Sequence, residues 1–124
     1  MTTLLIVEDN DLNLKLARTI LVGAGFNLLE ATTAEDGLAL ARAHHPPVVL
    51  MDIHLPGMDG MAALQILRTE EQTSDIKVLA ITASAMRGDR ERILSAGFDG
   101  YVSKPFRVQE LLAAVRSMLG TGSP

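Results

Sequence analysis

None of the 124 residues is a cysteine. That excludes disulfide scaffolds, thiol catalysis and thiolate metal sites, and is compatible with a cytosolic protein. Aromatic residues make up 3% of the chain, with a single tyrosine, Tyr101. Positive charge is not in excess: 11 Lys and Arg stand against 15 Asp and Glu, a net charge of -4. A phosphate backbone needs a basic face, so broad nucleic-acid binding is not expected. No apolar run reaches the roughly 18 residues that a membrane-spanning helix needs, so no membrane insertion is expected. The N-terminus leads straight into a strand-like run, without the basic-then-apolar order of a signal peptide. Internal repeats and low-complexity segments are absent too.

Hydrophobic residues make up 48% of the chain and charged residues 21%, the balance of a globular fold with one core. Strand and helix patterns alternate from end to end. Strands are predicted at 3–8, 27–31, 48–52, 77–82 and 100–103, and helices at 10–23, from the segment Thr32-Thr33-Ala34-Glu35 to His44, from 61 to about 70, at 86–96 and from about Arg107. Leu12, Leu16 and Ile20 are placed on one face of the first helix, and Val108, Leu111, Leu112 and Val115 on one face of the last. Thr32 with Glu35 three residues on reads as a capping box for the second helix. Five successive βα units imply parallel strands joined by right-handed crossovers, with helices on both faces. The expected fold is α/β, a doubly wound five-stranded parallel sheet of order 2-1-3-4-5. Residues 1–120 form the domain and 121–124 a short flexible tail.

Charged and hydroxyl residues stand where four of the five strands end. Glu8-Asp9 follow Leu4-Leu5-Ile6-Val7, Asp52 follows Val48-Val49-Leu50-Met51, Thr82 follows Val78-Leu79-Ala80-Ile81, and Lys104-Pro105 follow Tyr101-Val102-Ser103. Ligands of open parallel sheets bind beyond the carboxyl ends of the strands, where the strand order reverses. In order 2-1-3-4-5 the first and third strands are neighbours there, so Asp9 and Asp52 come side by side with Glu8 close. Carboxylates so placed repel one another, raise each other's pKa and attract a divalent cation. Oxygen ligands without His or Cys side chains select magnesium or another hard ion. Capping of the first helix by Asp9, Asn10 or Asp11 explains only part of this, because Asp52 and Lys104 also sit at strand ends.

The segments Ile6-Val7-Glu8-Asp9-Asn10, Met51 to Gly60, Thr82-Ala83 and Ser103-Lys104-Pro105-Phe106 resemble the four motifs of the receiver domain of two-component response regulators, in order and in spacing. The resemblance implies a role for each residue. Asp52 would be the phosphoacceptor, attacking the phosphorus of a phosphohistidine. Asp9, Asp52 and the backbone carbonyl of His54 would bind Mg2+, with Glu8 acting through a water. Lys104 and Thr82 would each contact a phosphoryl oxygen, and the Lys104-Pro105 peptide would be cis. Thr82 and Tyr101 would form the switch that reshapes the face of the fourth helix, fifth strand and fifth helix, where effectors bind. Ser84 would tune dephosphorylation. The donor would be a histidine kinase or a histidine phosphotransfer protein.

The stretch Ser84 to Arg92 is also similar to that of single-domain regulators of alphaproteobacterial cell division, and to receivers fused to hybrid histidine kinases. Met1 directly ahead of the first strand favours a stand-alone chain over a receiver excised from a larger protein. Such a protein catalyses its own phosphorylation and slow dephosphorylation without being an enzyme in the usual sense. An aspartyl-phosphate phosphatase would carry an acid where His54 stands, and a cap insertion for which there is no room. A flavodoxin-like carrier would need a phosphate loop where Glu8 to Asn13 are acidic, and aromatics around the flavin. His44-His45, Glu70-Glu71 and the run Arg87 to Arg92 read as helix-end or solvated polar residues rather than as sites.

Overall fold

Every residue of Leu4 to Val7 and of Val48 to Met51 is fully buried, as strands covered on both faces must be. In the computed structural model, which describes residues 2–83 and 87–120, these runs form the centre of the sheet. The elements are β1 (Thr3–Val7), α1 (Asp11–Gly23), β2 (Asn27–Ala31), α2 (Ala34–His44), β3 (Val48–Asp52), α3 (Gly60–Thr69), β4 (Lys77–Thr82), α4 (Arg87–Ala96), β5 (Gly100–Ser103) and α5 (Val108–Leu119). The strands are all parallel, in the order β2-β1-β3-β4-β5. The α/β class and this strand order are those expected.

Successive residues of a strand point to opposite faces, so the sheet divides its apolar residues between two cores. Leu4, Ile6, Val48, Leu50, Leu79 and Ile81 pack against Ala17 and Leu21 of α1 and Leu111 and Val115 of α5. Leu5, Val7, Val49, Met51, Val78 and Ala80 pack against Leu38 of α2, Leu64 and Leu67 of α3 and Ile93 of α4.

The faces of two helices differ from expectation. α1 buries Leu14, Ala17, Ile20 and Leu21, while Leu12 and Leu16 are exposed, Leu12 at 78%. Steps of four drift about 40° each around a helix of 3.6 residues per turn, so Leu12 and Ile20 lie roughly 80° apart. Steps of three and four alternated, as in Leu14, Ala17 and Leu21, keep to one stripe. In α5, Leu111 and Val115 are buried and Leu112 partly so, but Val108 is 51% exposed. The cap of α2 is also shifted by one: Thr33, in extended conformation, accepts from the backbone N–H of Asp36 at 3.1 Å. Asn10 is the residue that caps α1, accepting from the N–H of Asn13 at 3.0 Å. Ser84, Met86 and the 121–124 tail lie outside the described residues.

Polar residues at the far end of the sheet tie the helices together. Arg68 of α3 donates to the carbonyl of Ile76 at 2.5 Å, the carbonyl of Gly97 at 3.1 Å and Asp99 Oδ2 at 2.6 Å. The same Asp99 oxygen accepts from the N–H of Val78 at 2.8 Å. This cross-link holds the turn after α4 against the start of β4. Glu70 is not merely solvated: it receives two hydrogen bonds from Arg42 of α2, at 2.8 and 2.6 Å. His45, in left-handed conformation after α2, pairs with Asp75 at 3.0 Å.

One glycine positions the functional end. Gly60 opens α3 directly under the end of β3, its N–H donating to the carbonyl of Ile53 at 3.0 Å. A Cβ there would overlap the carbonyl oxygen of Asp52 and lie 2.9 Å from Cα of Ile53. Both are backbone atoms, which cannot rotate away. Gly60→Ala is therefore expected to lower the unfolding free energy by about 1–3 kcal/mol, the usual cost of overpacking. Urea denaturation checks this; a midpoint equal to wild type would show that the β3–α3 corner has slack.

Candidate functional site

The site begins where the apolar strands run out. Val7 and Met51 are register partners in β1 and β3, so Glu8 and Asp52, the next residues along, stand side by side. Both are on the α1 and α5 side of the sheet by strand alternation. Both are almost fully buried, at 0% and 2% exposure. Asp9 is exposed at the rim. One oxygen from each of Glu8, Asp9 and Asp52 can be chosen so that all three lie within 4.8 Å of one another.

Lys104 crosses to them from the end of β5, at the edge of the sheet. Thr82 and Ser103 are register partners, and the N–H of Lys104 donates to the carbonyl of Thr82 at 2.8 Å. The Lys104-Pro105 peptide is cis. The side chain then reaches over β4, placing Nζ 2.8 Å from Asp52 Oδ2 and 3.2 Å from Glu8 Oε1. Thr82 itself is buried at the end of β4. By strand alternation it is on the same face as Ala80, the face on which Tyr101 also packs.

Two backbone groups complete the arrangement. Asp52 Oδ1 accepts from the N–H of His54 at 2.9 Å, and Glu8 Oε1 accepts from the N–H of Asn10 at 3.1 Å. These donors hold each carboxylate at a fixed angle. The side chain of His54 is exposed, so it is the main chain of this residue that faces the site.

Charge is not balanced here. Burial, then the neighbouring Asp52, push the Glu8 carboxyl above the ordinary carboxylate range, more than the hydrogen bonds from Lys104 and Asn10 pull it down. The folded chain therefore keeps a proton on Glu8 to higher pH than the unfolded chain does. Its contribution to stability is present in acid and is lost as pH rises through the raised value. For Lys104, burial works against the ammonium, but hydrogen bonds to Asp52 and Glu8 outweigh it and the pKa is raised. That contribution is present at neutral pH and is lost only in alkali.

The residues suit a hard divalent cation. Three carboxylates meet, and Glu8 Oε2 is buried without a hydrogen bond, though it lies 3.1 Å from Lys104 Nζ. It is the one such side-chain atom among the described residues. An oxygen-only donor set with an unsatisfied buried oxygen fits magnesium chemistry.

Of the residues singled out in the sequence, Glu8, Asp9, Asp52 and Lys104 are brought together here. Thr82 and His54 border them, and Tyr101 lies farther along β5. Sequence reasoning passed over Gly60, the N–H of His54 and the N–H of Asn10. Asp59-Gly60 reads as a turn, and nothing in a turn signal says that a backbone carbonyl will touch the glycine. Arg90, placed on a solvated face, lies over the ring of Tyr101 instead, with its guanidinium carbon 5.8 Å from the centroid.

The chain resembles known proteins over nearly its whole length. The polar-differentiation response regulator DivK of Brucella ovis is 41% identical over 118 residues, covering 95% of this chain and 96% of that protein. The crystal structure of the receiver domain of a sensor histidine kinase from Pseudomonas aeruginosa, with a magnesium ion coordinated in its active-site cleft, superimposes with a TM-score of 0.88. It is 31% identical, covering 96% of this chain and 98% of that one. A CheY-like receiver domain protein from Methanospirillum hungatei gives a TM-score of 0.85 at 29% identity, covering 98% and 95%. No helix among the described residues is long and apolar enough to cross a membrane. The response regulator receiver domain family matches residues 4–116, and with five parallel strands in the order 2-1-3-4-5 and three acids gathered at their carboxyl ends, the chain belongs to that family.

Proposed function

We propose that Asp52 is the phosphoacceptor of this receiver, and that its phosphorylation is read by partner proteins. The observation that carries this is the Lys104 ammonium held 2.8 Å from Asp52 Oδ2: a cation fixed on one carboxylate oxygen stabilises the charge that gathers when that carboxylate takes a phosphoryl group. An Asp52 oxygen attacks the phosphorus of a phosphohistidine, the P–N bond breaks, and the imidazole leaves with its electron pair. The product is an acyl phosphate. Lys104 then pairs with a phosphoryl oxygen and Thr82 donates its hydroxyl to another. Asp9, Asp52 and the carbonyl of His54 would hold Mg2+, with Glu8 acting through a water. When bound, the ion neutralises charge on the transferring group. The chain's own contribution is positioning, which phosphoryl transfer mostly requires.

Signalling in this reading is a population shift. Phosphate on Asp52 draws Thr82 toward it, Tyr101 turns into the space vacated, and the α4–β5–α5 face changes for its effector. The donor is a histidine kinase or a histidine phosphotransfer protein, and the same reading puts the chain in the cytoplasm, where such donors are charged from ATP. Both settings weighed for the domain occur among its relatives: DivK is matched over 96% of its length, whereas the Pseudomonas receiver is part of a sensor kinase.

The test mixes the chain with autophosphorylated histidine kinases or phosphotransfer proteins, with and without magnesium. Label is expected on the chain within minutes when magnesium is present and to be lost when EDTA removes it. Equal transfer in EDTA would overturn the proposed role of the acidic cluster.

A further inference from the structure

α4 is the least securely packed helix of the fold. Ile93 is its one core residue among those described, and its first eight residues carry charges at five positions, Arg87, Asp89, Arg90, Glu91 and Arg92. An element with so few buried apolar contacts moves at low cost. What it touches on the sheet then matters.

Arg90 lies one turn before Ile93, so the side chain that anchors the helix also fixes where Arg90 points. It points at Tyr101: the guanidinium carbon is 5.8 Å from the ring centroid. Tyr101 is only partly buried and packs on the same core as Ile93. A guanidinium over an aromatic face is attracted by the ring quadrupole, and the attraction depends on ring orientation. A ring turned away from α4 would lose the contact, and so would a displaced helix.

We propose that Arg90 is a latch on Tyr101: it holds the ring in its outward orientation and ties it to α4, so that turning of the ring and displacement of the helix become one event. The inference rests on the switching role proposed above for Tyr101. Its consequence is quantitative. A contact present in one state only biases the equilibrium by its own free energy. An exposed cation–π pair corresponds to about two- to fivefold in the population of the inward state. The latch therefore sets how much of the unphosphorylated chain is already in the partner-binding form.

Tyr101 is the only tyrosine, so 3-fluorotyrosine places a single 19F nucleus on the ring. Spectra of wild type, Arg90→Met and Arg90→Lys are compared without additions, and again with magnesium and beryllium fluoride, a phosphoryl mimic. Methionine keeps the length and helix preference without the charge. The wild-type resonance is expected to move when the mimic binds. In Arg90→Met without additions, the inward population should rise about two- to fivefold, with Arg90→Lys between it and wild type. If the wild-type resonance does not respond to the mimic, the switching role of Tyr101 fails and the latch with it. If wild type responds but Arg90→Met shows wild-type populations before addition, the latch alone is overturned.

Discussion

Asp52→Asn is expected to take no detectable phosphoryl group from a donor that labels wild type within minutes. Removing a covalent nucleophile costs on the order of 10⁴-fold or more, which puts labelling below detection. The substitution is conservative in shape. The asparagine carbonyl oxygen can still accept from the N–H of His54, as Asp52 Oδ1 does at 2.9 Å, and the strand around it is unchanged. One charge leaves a crowded buried cluster, so the repulsion that helps raise the Glu8 pKa is relieved. The variant should therefore fold, with a wild-type far-UV circular dichroism spectrum, and fail only in chemistry. Wild-type label should be released by hydroxylamine, as an acyl phosphate is. Stoichiometric, hydroxylamine-labile label on Asp52→Asn would sink the assignment and move attention to Asp9.

Lys104→Met should have the largest effect on stability. Glu8 and Asp52 are buried at 0% and 2% exposure, and Lys104 is the cation that both contact. Its removal leaves two buried acids facing each other. Breaking a buried ion pair by deleting one partner typically costs about 3–5 kcal/mol, a large share of the roughly 5–15 kcal/mol that holds a domain folded. The thermal midpoint of the metal-free protein at pH 7 is expected to fall by about 10 °C or more. The sign of the pH dependence follows from Glu8. Its pKa is already raised, and losing the ammonium raises it further. The deficit should therefore shrink as pH is lowered from 7 to 5 and Glu8 takes up a proton. Magnesium should reduce it too, by supplying the missing positive charge. Thermal denaturation at both pH values, with and without magnesium, checks this. A deficit that is the same in all four conditions would mean that Lys104 matters only for packing.

These expectations rest on features that were unequally legible. The alternation of apolar runs with helical patterns named all ten elements and the parallel sheet they build, because strands buried on both faces must be continuously apolar and successive βα units run parallel. The acids, the hydroxyl and the lysine were visible because each breaks an apolar run at its carboxyl end. Leu12 and Leu16 show the limit: apolar residues four apart on a helix suggested a buried face, but packing chose Leu14, Ala17 and Leu21. Periodicity says how residues are spaced around a helix, not which stripe the sheet will cover.

The sequence by itself determined which polar residues stand where apolar strand-like runs end, because residue type and the runs that precede them are local properties. Only the tertiary structure decided that Lys104 reaches across β4 to Asp52 and Glu8, that Gly60 lies against the carbonyl of Asp52, and that Arg90 lies over Tyr101. Each joins residues from separate elements, and the longest joins positions 96 residues apart. Such contacts are set by the twist of the sheet and the seating of helices on it, and no spacing along the chain encodes them.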